Sequence, residues 1–322
     1  MAWIECVPNF SEGRDPAVVA AIVAAMLAVP GAHLLAQEMD ADHHRAVVTL
    51  AGEPAAVAEA AVRGVGEAAR RIDLRRHHGV HPRLGATDVV PFVPLEGATL
   101  EECVHWAEWA GAEIWRRFQI PVYLYGAAAR RPERRRLENV RRGQFEGLSE
   151  QVRTDPARLP DFGPPFAAAA LHHSAGATIV GARKFLIAFN VVLDTPDLAI
   201  ARDIARVIRT SGGGLPELKA IGVALDHPPR AQVSMNLTDF ETTSLATVWE
   251  ALNREAARRG VHVVESELVG LAPRAAFQGA DPQKLRLRGF GPDKILENRL
   301  AEALATGSLP PAKPSHAEFR LR

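Results

Sequence analysis

The chain has 322 residues, of which 47% are hydrophobic and 24% charged, the proportions of an ordinary globular protein long enough for two moderate domains. Lys plus Arg and Asp plus Glu each total 38, so the chain lacks the basic excess typical of nucleic-acid-binding proteins. Its two cysteines, Cys6 and Cys103, cannot build a disulfide framework, and we expect a reducing compartment, the cytoplasm. The longest apolar run, residues 17–29, is too short to span a bilayer and lacks the basic leader of a signal peptide.

The first half of the chain alternates between strand and helix patterns. The apolar run predicts a buried helix that Asp15 caps, with Pro16 in its first turn and Pro30-Gly31 at its end. Alanine-rich and apolar-periodic segments predict two more helices, and β-branched runs predict the strands. The predicted helices cover residues 17–29, 54–71 and 100–118, and the predicted strands cover residues 3–9, 32–36, 45–50, 89–95 and 121–125.

The amino-acid composition changes between residues 126 and 165. Residues 130–142 are strongly basic, and four prolines follow between residues 156 and 165. A nucleic-acid patch is one interpretation of the arginines, but Glu133 and Glu138 interrupt them and no aromatic residues are interleaved. The segment therefore predicts a solvated helix followed by a linker or loop.

The second half repeats the alternation, with predicted elements at residues 184–193, 198–209, 218–225, 231–237, 244–259 and 261–268 in the order βαββαβ. The first half begins with the same order, and the two halves carry similar hairpin segments at residues 45–50 and 230–235, which suggests a duplication. We therefore predict an α/β protein of the α+β type, with two ferredoxin-like βαββαβ subdomains at residues 1–180 and 181–322. The second includes a C-terminal helix at residues 293–305 and a polar tail.

The densest polar cluster lies at residues 77–85, with the sequence HHGVHPRLG. Gly79, Pro82 and Gly85 make a helix improbable there, so the cluster is predicted to be a loop. Histidines titrate near neutral pH, and the guanidinium group of Arg83 can donate two parallel hydrogen bonds to a carboxylate. His77 and His81 have the spacing of two metal ligands on a helix, but a loop would not place them on one face. This segment alone leaves catalysis, metal binding and ordinary surface histidines open.

Two further segments are candidates for function. Residues 38–45, with Asp40, His43 and His44, lie between two predicted strands, and carboxylates beside histidines can fix an imidazole tautomer. Residues 163–182 are rich in small residues, which let a backbone approach a flat ligand closely, and include His172 and His173. A polar hairpin loop and an interdomain loop are the alternatives.

Several strings resemble the formiminotransferase family, in order, over residues 2–275. They are ECVPNFSEGR at residues 5–14, HPRLG at 81–85, PVYLYG at 121–126, PDFGP at 160–164, GAT at 176–178, GARKFLIAFN at 181–190 and QVSMN at 232–236. The chain differs at Ala36 and His44, where the family often has aspartate and asparagine.

The resemblance implies transfer of a formimino group from N-formimino-L-glutamate to tetrahydrofolate, in a ligand tunnel between the two subdomains, with no metal. His81 would be the acid–base residue. The residues expected to bind the donor are Asn9, Asp40, Arg45 and Arg83, and those expected to contact the folate are Gly163, Pro164, His172, Gly176, Arg183 and Asn190.

The same resemblance implies small-molecule substrates, a homodimer, and no nucleic-acid or membrane partner. A cyclodeaminase that acts next would be a separate protein. Alternatives are a transferase of the same fold that uses formylglutamate or formiminoglycine, a folate-binding protein without catalysis, and a metal-dependent hydrolase that uses the paired histidines.

Overall fold

The computed structural model describes residues 2–41, 43–79, 82–226 and 228–306. The chain divides into two compact units after Arg183. Each unit has its own β-sheet and its own hydrophobic core, so the predicted mixed α/β fold with two sheets is confirmed. No helix in the described part of the chain has the length and apolar character needed to cross a membrane.

The first unit contains one mixed sheet. Its strands are β1 (Ile4–Cys6), β2 (Asn9–Phe10), β3 (Ala32–Asp40), β4 (Arg45–Gly52), β5 (Thr87–Pro94), β6 (Val122–Gly126) and β7 (Thr178–Ala182), and its helices are α1 (Pro16–Leu27), α2 (Pro54–Arg71), α3 (Leu100–Phe118), α4 (Leu137–Val140) and α5 (Gln144–Thr154). Strands β1 and β2 both lie between β4 and β5, β3 pairs with β4, and these pairings are antiparallel. Strand β7 joins β5 and β6 by parallel pairing.

The two faces of this sheet are covered differently. Helices α1 to α3 bury the main core on one face, and α2 packs closely because Gly64 and Gly66 face Met26 and Phe118. A smaller core, which includes Val89 and residues of α4 and α5, covers part of the other face. Successive side chains of a strand point to opposite faces, so polar groups on β1, β2 and β5 can meet beside the smaller core.

The second unit contains strands β8 (Ile187–Leu193), β9 (Leu218–Asp226), β10 (Pro229–Leu237) and β11 (Val263–Val269) with helices α6 (Leu198–Ile208) and α7 (Leu245–Ala257), followed by α8 (Leu296–Thr306). The sheet is fully antiparallel in the order β11-β8-β10-β9. The predicted βαββαβ element order is therefore present here. The first sheet has seven strands, and the ferredoxin-like description of both halves stays a prediction.

Several predicted elements were wrong in detail. The strand predicted at residues 3–9 is split into β1 and β2, and residues 163–182, for which no strand was predicted, contain β7. Every residue of β7 is buried, so the strand lacks the alternation that reveals a half-buried strand.

The basic segment is not a solvated helix throughout. Arg134 is buried, and its guanidinium donates to Asp161 at 2.7 Å and to the carbonyl oxygens of Ala157 and Leu159. It also lies 5.0 Å from the ring centre of Tyr123. Arg134 thus ties the segment that follows β6 to the loop before β7, a role that its run of charged neighbours does not reveal.

Candidate functional site

A small pocket opens in the first unit where β2, the β3–β4 connection and the loop after Arg76 meet. Its described lining residues are Phe10, Ser11, His43, His44, Arg45, His77, Arg83 and Asp88. The pocket encloses about 180 Å³, part of it open to solvent. Because that space includes open solvent, the pocket is a partly open polar recess, and a ligand bound there must extend beyond it.

Two glycines allow the loops around the pocket to approach each other closely. A Cβ atom on Gly79 would lie 2.7 Å from the carbonyl oxygen of His43 and 2.8 Å from the Cβ atom of His44. A Cβ atom on Gly13 would lie 2.0 Å from the carbonyl oxygen of Asp40. All three distances are far below van der Waals contact. Glycine at position 79 therefore lets the two histidine-containing segments meet, and glycine at position 13 lets the chain after β2 pack against the β3–β4 connection.

His44 and His77 stack on each other, with ring centres 4.3 Å apart. Arg83 Nε can only donate, and it lies 3.1 Å from His77 Nδ1, so His77 Nδ1 accepts a hydrogen bond. In the neutral ring the proton is therefore on His77 Nε2, which donates to the His44 carbonyl oxygen at 3.0 Å. His44 Nδ1 likewise accepts from the backbone N–H of Gly13 at 3.0 Å. Burial lowers the pKa of both imidazoles, and these contacts hold both in the neutral form.

His77 is not an ordinary surface histidine, because the residue is only 5% exposed. Both of its ring nitrogens are engaged by protein groups, so neither offers a lone pair to an outside ligand. His78, the next residue, is exposed. Stacking against a residue 33 positions earlier in the chain buries His77, and spacing within the loop cannot indicate such a contact.

Arg83 lies in the pocket wall with its guanidinium already bound. It donates to both carboxylate oxygens of Glu146, at 2.7 and 3.0 Å, and its Nε atom donates to His77. The Arg83 side chain is 11% exposed, whereas that of Glu146 is 63% exposed. In this arrangement Arg83 orients His77 and anchors the beginning of α5.

Asp40 and His43 form a second imidazole–carboxylate contact. Asp40 Oδ2 lies 2.8 Å from His43 Nδ1, and Asp40 Oδ1 accepts from the His43 backbone N–H at 2.8 Å. His43 lines the pocket, and the Asp40 side chain is 47% exposed. The structure thus brings the predicted donor-binding residue Asp40 to the edge of the pocket, where it fixes the orientation of a histidine.

The base of the pocket is formed by a charged group on adjacent strands. Arg45, at the start of β4, donates through Nε to Asn9 Oδ1 at 2.7 Å, and its Nη2 contacts the same oxygen. Asp88 accepts from the Leu84 backbone N–H at 2.9 Å and from Arg141 Nη2. Burial lowers the pKa of Arg45 to about 10; Asp88 opposes this shift, and the neighbouring Arg141 adds to it.

A buried carboxyl group lies on the same sheet. Glu5 is only 2% exposed, and burial raises its pKa from 4.5 to about 7 although Arg183 acts in the opposite direction. Arg183 also hydrogen-bonds to the side chain of Tyr125 on β6. The predicted folate residue Arg183 is therefore held by buried groups of the first unit.

The predicted folate-contacting stretch in the first unit lies over the smaller core. Gly176 has a φ of +70°, and a Cβ atom there would lie 2.3 Å from the Leu84 carbonyl oxygen, so the stretch packs directly against the loop that follows Arg83. His172 Nδ1 accepts from the backbone N–H of Ala175 at 3.0 Å, and burial lowers the pKa of His172. Gly163 and Pro164 precede this region and are half-buried.

Two predicted residues remain, Asn190 and His81. Asn190 is on β8 in the second unit, where it pairs in register with Ser234 and Glu267. His81 lies outside the described residues.

Sequence reasoning missed four participants in or near the pocket: Glu12 beside His44, Glu146 beside Arg83, and the pair of Arg141 and Asp88. Glu12 lies within the family string at residues 5–14, which was a usable signal. Arg141 and Glu146 are 53 and 63 residues from their partners, and their positions in a charged helical segment gave no signal.

Comparison with known families gives two matches along the chain. Residues 3–183 match the formiminotransferase domain, N-terminal subdomain, and residues 188–283 match the formiminotransferase domain. The two matched regions adjoin at the division between the two units.

Known relatives cover nearly the whole chain. A glutamate formimidoyltransferase from Streptococcus pyogenes serotype M1 is 46% identical over 92% of this chain and 98% of its own length. A glutamate formimidoyltransferase from Thermoplasma acidophilum is 42% identical over 94% of this chain and 99% of its own length. A formimidoyltransferase-cyclodeaminase from Sus scrofa is 42% identical over 97% of this chain but only 58% of its own length. The chain belongs to the formiminotransferase family.

Proposed function

We propose that this protein transfers the formimino group of N-formimino-L-glutamate to tetrahydrofolate, giving 5-formiminotetrahydrofolate and L-glutamate. The observation that carries the proposal is the pocket, which combines arginines with neutral imidazoles and is lined in part by Phe10, Ser11 and Arg83 from two of the family strings. The names of the two relatives that align over almost their full length support the same reaction.

The reaction needs proton transfer at two nitrogens. Attack of the N5 amine of tetrahydrofolate on the amidine carbon gives a tetrahedral intermediate, from which glutamate leaves only when its nitrogen takes up a proton. The attacking nitrogen must lose one. A histidine can perform both transfers, and such catalysis contributes roughly 10²- to 10⁴-fold.

We assign this role to His81. In the sequence it stands two residues after Gly79, which packs against His43 and His44, and two residues before Arg83, which lines the pocket. His44 and His77 are less suited to the role, because backbone and arginine N–H groups already occupy their Nδ1 atoms.

The donor is a dicarboxylate, and buried arginine is the natural group to bind it. We assign Arg45 to a donor carboxylate, with Asn9 holding its guanidinium fork in place. Asp40 acts through His43, whose ring it orients. We assign Arg83 to positioning His77 rather than to the donor, since its fork is bound to Glu146.

Tetrahydrofolate is the second substrate. The pocket is too small to enclose a folate, so the pterin and tail require further surface. We assign this surface to Gly163, Pro164, His172, Gly176, Arg183 and Asn190. Small residues in the 163–176 stretch permit close approach of a flat ring system.

The reaction is tested by mixing purified protein with tetrahydrofolate and each candidate donor, and following glutamate release and the folate product by NMR. Product with formiminoglutamate is expected. Turnover only with formylglutamate or formiminoglycine would refute the donor assignment. Tetrahydrofolate binding without turnover of any donor would favour a non-catalytic folate-binding protein.

We also infer that the protein acts in the cytoplasm as a homodimer. Light scattering on the purified protein should give about twice the chain mass of 34.8 kDa. A single-chain mass at micromolar concentration would contradict the dimer.

A further inference from the structure

Arg141 is a cationic group beside the pocket with unused binding capacity. Its Nη2 atom donates to Asp88, and its Nε atom is buried without a hydrogen-bond partner among the described residues. An unsatisfied buried donor is costly, and in native proteins it often marks a place where a missing group binds. The Arg141 side chain is 15% exposed, so the group remains reachable from solvent.

Other enclosed arginines of the first unit are better satisfied. The Arg83 fork holds Glu146 through two contacts and His77 through a third, and the Arg134 fork holds Asp161 and two carbonyl oxygens. The fold therefore supplies acceptors around these guanidinium groups. Arg158 also has a buried Nε without a partner, but its terminal nitrogens donate to three carbonyl oxygens.

The neighbours of Arg141 also favour an anion. Arg45 lies close enough that Arg141 contributes to lowering its pKa, and Asp88 binds one terminal nitrogen of Arg141. A further carboxylate would offer an acceptor to the rest of the Arg141 guanidinium group, and its negative charge would interact favourably with both arginines.

We propose that Arg141, together with Arg45, binds a carboxylate of a glutamate group beside Asp88. The inference rests on the proposed function, in which both the donor and the tail of tetrahydrofolate carry a glutamate. The small volume of the pocket and the presence of Arg45 and Asp88 in its wall favour the donor as the source. Arg141 then acts as a binding residue for the substrate carboxylate.

Isothermal titration calorimetry on the full chain tests the site with three probes: L-glutamate, tetrahydrofolate and tetrahydropteroate, which lacks the glutamate tail. Arg141→Gln should raise the Kd for L-glutamate about tenfold or more, and Arg141→Lys should raise it less because the charge is retained. Two control substitutions should change the Kd for L-glutamate less than twofold. Arg142→Gln alters the adjacent exposed arginine, and Arg209→Gln alters an arginine of the second unit whose Nε atom is also buried without a partner. A Kd that rises for tetrahydrofolate, and not for L-glutamate or tetrahydropteroate, would place the carboxylate on the folate tail.

The proposal is overturned if both Arg141 variants keep wild-type affinity for all three probes, or if the wild type binds none of them. The proposal is also overturned if an Arg141 variant binds all three probes equally more weakly, because weaker binding of tetrahydropteroate indicates a structural role for Arg141. Turnover of the wild type, measured separately, distinguishes the two proposals. If the Arg141 variants bind L-glutamate more weakly but the wild type shows no turnover, the carboxylate site is supported and the proposed reaction is rejected. If the wild type turns over but the Arg141 variants bind all probes normally, the reaction is supported and the carboxylate site is rejected.

Discussion

The two units use a related sheet order but place their charges differently. The sheet of the second unit has the strand order β9-β10-β8-β11. The first sheet has a matching order, in which β3, β4, the β1–β2 pair and β5 take these four positions in turn. Strands β7 and β6 then extend the first sheet beyond β5. The buried carboxylates of the second unit, Asp239 and Glu255, pair with Lys184 and Arg258, whose side chains are 48% and 65% exposed. Lys184 and Arg258 thus remain largely in water, whereas Arg259, the second partner of Glu255, is 23% exposed.

In the first unit, the Arg141–Asp88 pair has both members enclosed, with side chains that are 15% and 3% exposed. Glu5 is likewise buried near Arg183, whereas Glu146, the partner of Arg83, is 63% exposed. Removing both charges from water costs more free energy than removing one, so enclosed pairs are poor stabilisers. We therefore propose that Arg141 and Asp88 are retained for binding, whereas the ion pairs of the second unit stabilise the fold.

The largest effect is expected for His81→Ala. If His81 transfers both protons, this change should lower kcat by roughly a hundredfold or more and leave tetrahydrofolate affinity almost unchanged. His78→Ala removes an exposed histidine from the same loop and should be mild. Steady-state kinetics on variants with a wild-type thermal midpoint decides the matter. Near-normal turnover in His81→Ala would move the role to His43 or His44.

The next largest effect is expected for Arg45→Gln. Losing a charged fork that binds a donor carboxylate should raise the donor KM about tenfold or more while the folate KM changes little. Arg45→Lys retains the charge but cannot reproduce the fork, so it should lie between the wild type and Arg45→Gln. An unchanged donor KM in a folded Arg45→Gln protein would contradict the assignment.

His77→Gln tests the neutral histidines through the pH dependence of stability. Burial lowers the pKa of His77 from 6.5, so the unfolded chain binds a proton that the folded protein does not. Stability is therefore full above pH 6.5 and falls as pH falls below that value. Urea unfolding at several pH values should show a shallower acid slope for His77→Gln than for the wild type, with exposed His105→Gln as the control. Identical slopes in all three proteins would argue against a neutral buried His77.

Glu5→Gln should change the pH dependence in the opposite direction. The folded-state pKa of Glu5 is raised to about 7 from 4.5, so between these values the folded protein holds a proton that the unfolded chain has released. Its contribution to stability is full below pH 4.5 and is lost as pH rises through about 7. Glutamine does not titrate, so the variant should lose this decline and gain stability at pH 8 relative to pH 5, compared with the wild type. A wild-type-like profile would show that Glu5 ionises normally.

The smallest effect is expected for Glu255→Gln, which tests the second unit. Glu255, in the last turn of α7, accepts from Arg258 and Arg259 just after the helix, at 2.6 and 2.8 Å. Pairs of this kind contribute about 0.5 kcal/mol each, so the thermal midpoint should fall slightly and kcat and both KM values should stay within twofold. A large loss of turnover without unfolding would contradict the contrast between the units.

The sequence by itself determined the local structure and the family. Asp15 accepts from the Ala17 N–H at the start of α1, as its position before Pro16 predicted. Gly79 and Gly85 lie in a non-helical segment, and the βαββαβ order of the second half is readable from periodicity. These features depend on residues a few positions apart, for which propensity and hydrogen bonding within one element decide the outcome.

Only the tertiary structure decided which charges meet. The burial of His77 on His44, the Arg83–Glu146 contact and the Arg141–Asp88 contact join segments 33 to 63 residues apart. Strand β7 was missed because its parallel, fully buried position removes the alternating pattern. The sequence around a charged residue in a polar segment is the same whether its side chain faces water or a buried partner. Packing of α4 and α5 against the sheet determines which of these charged side chains become buried.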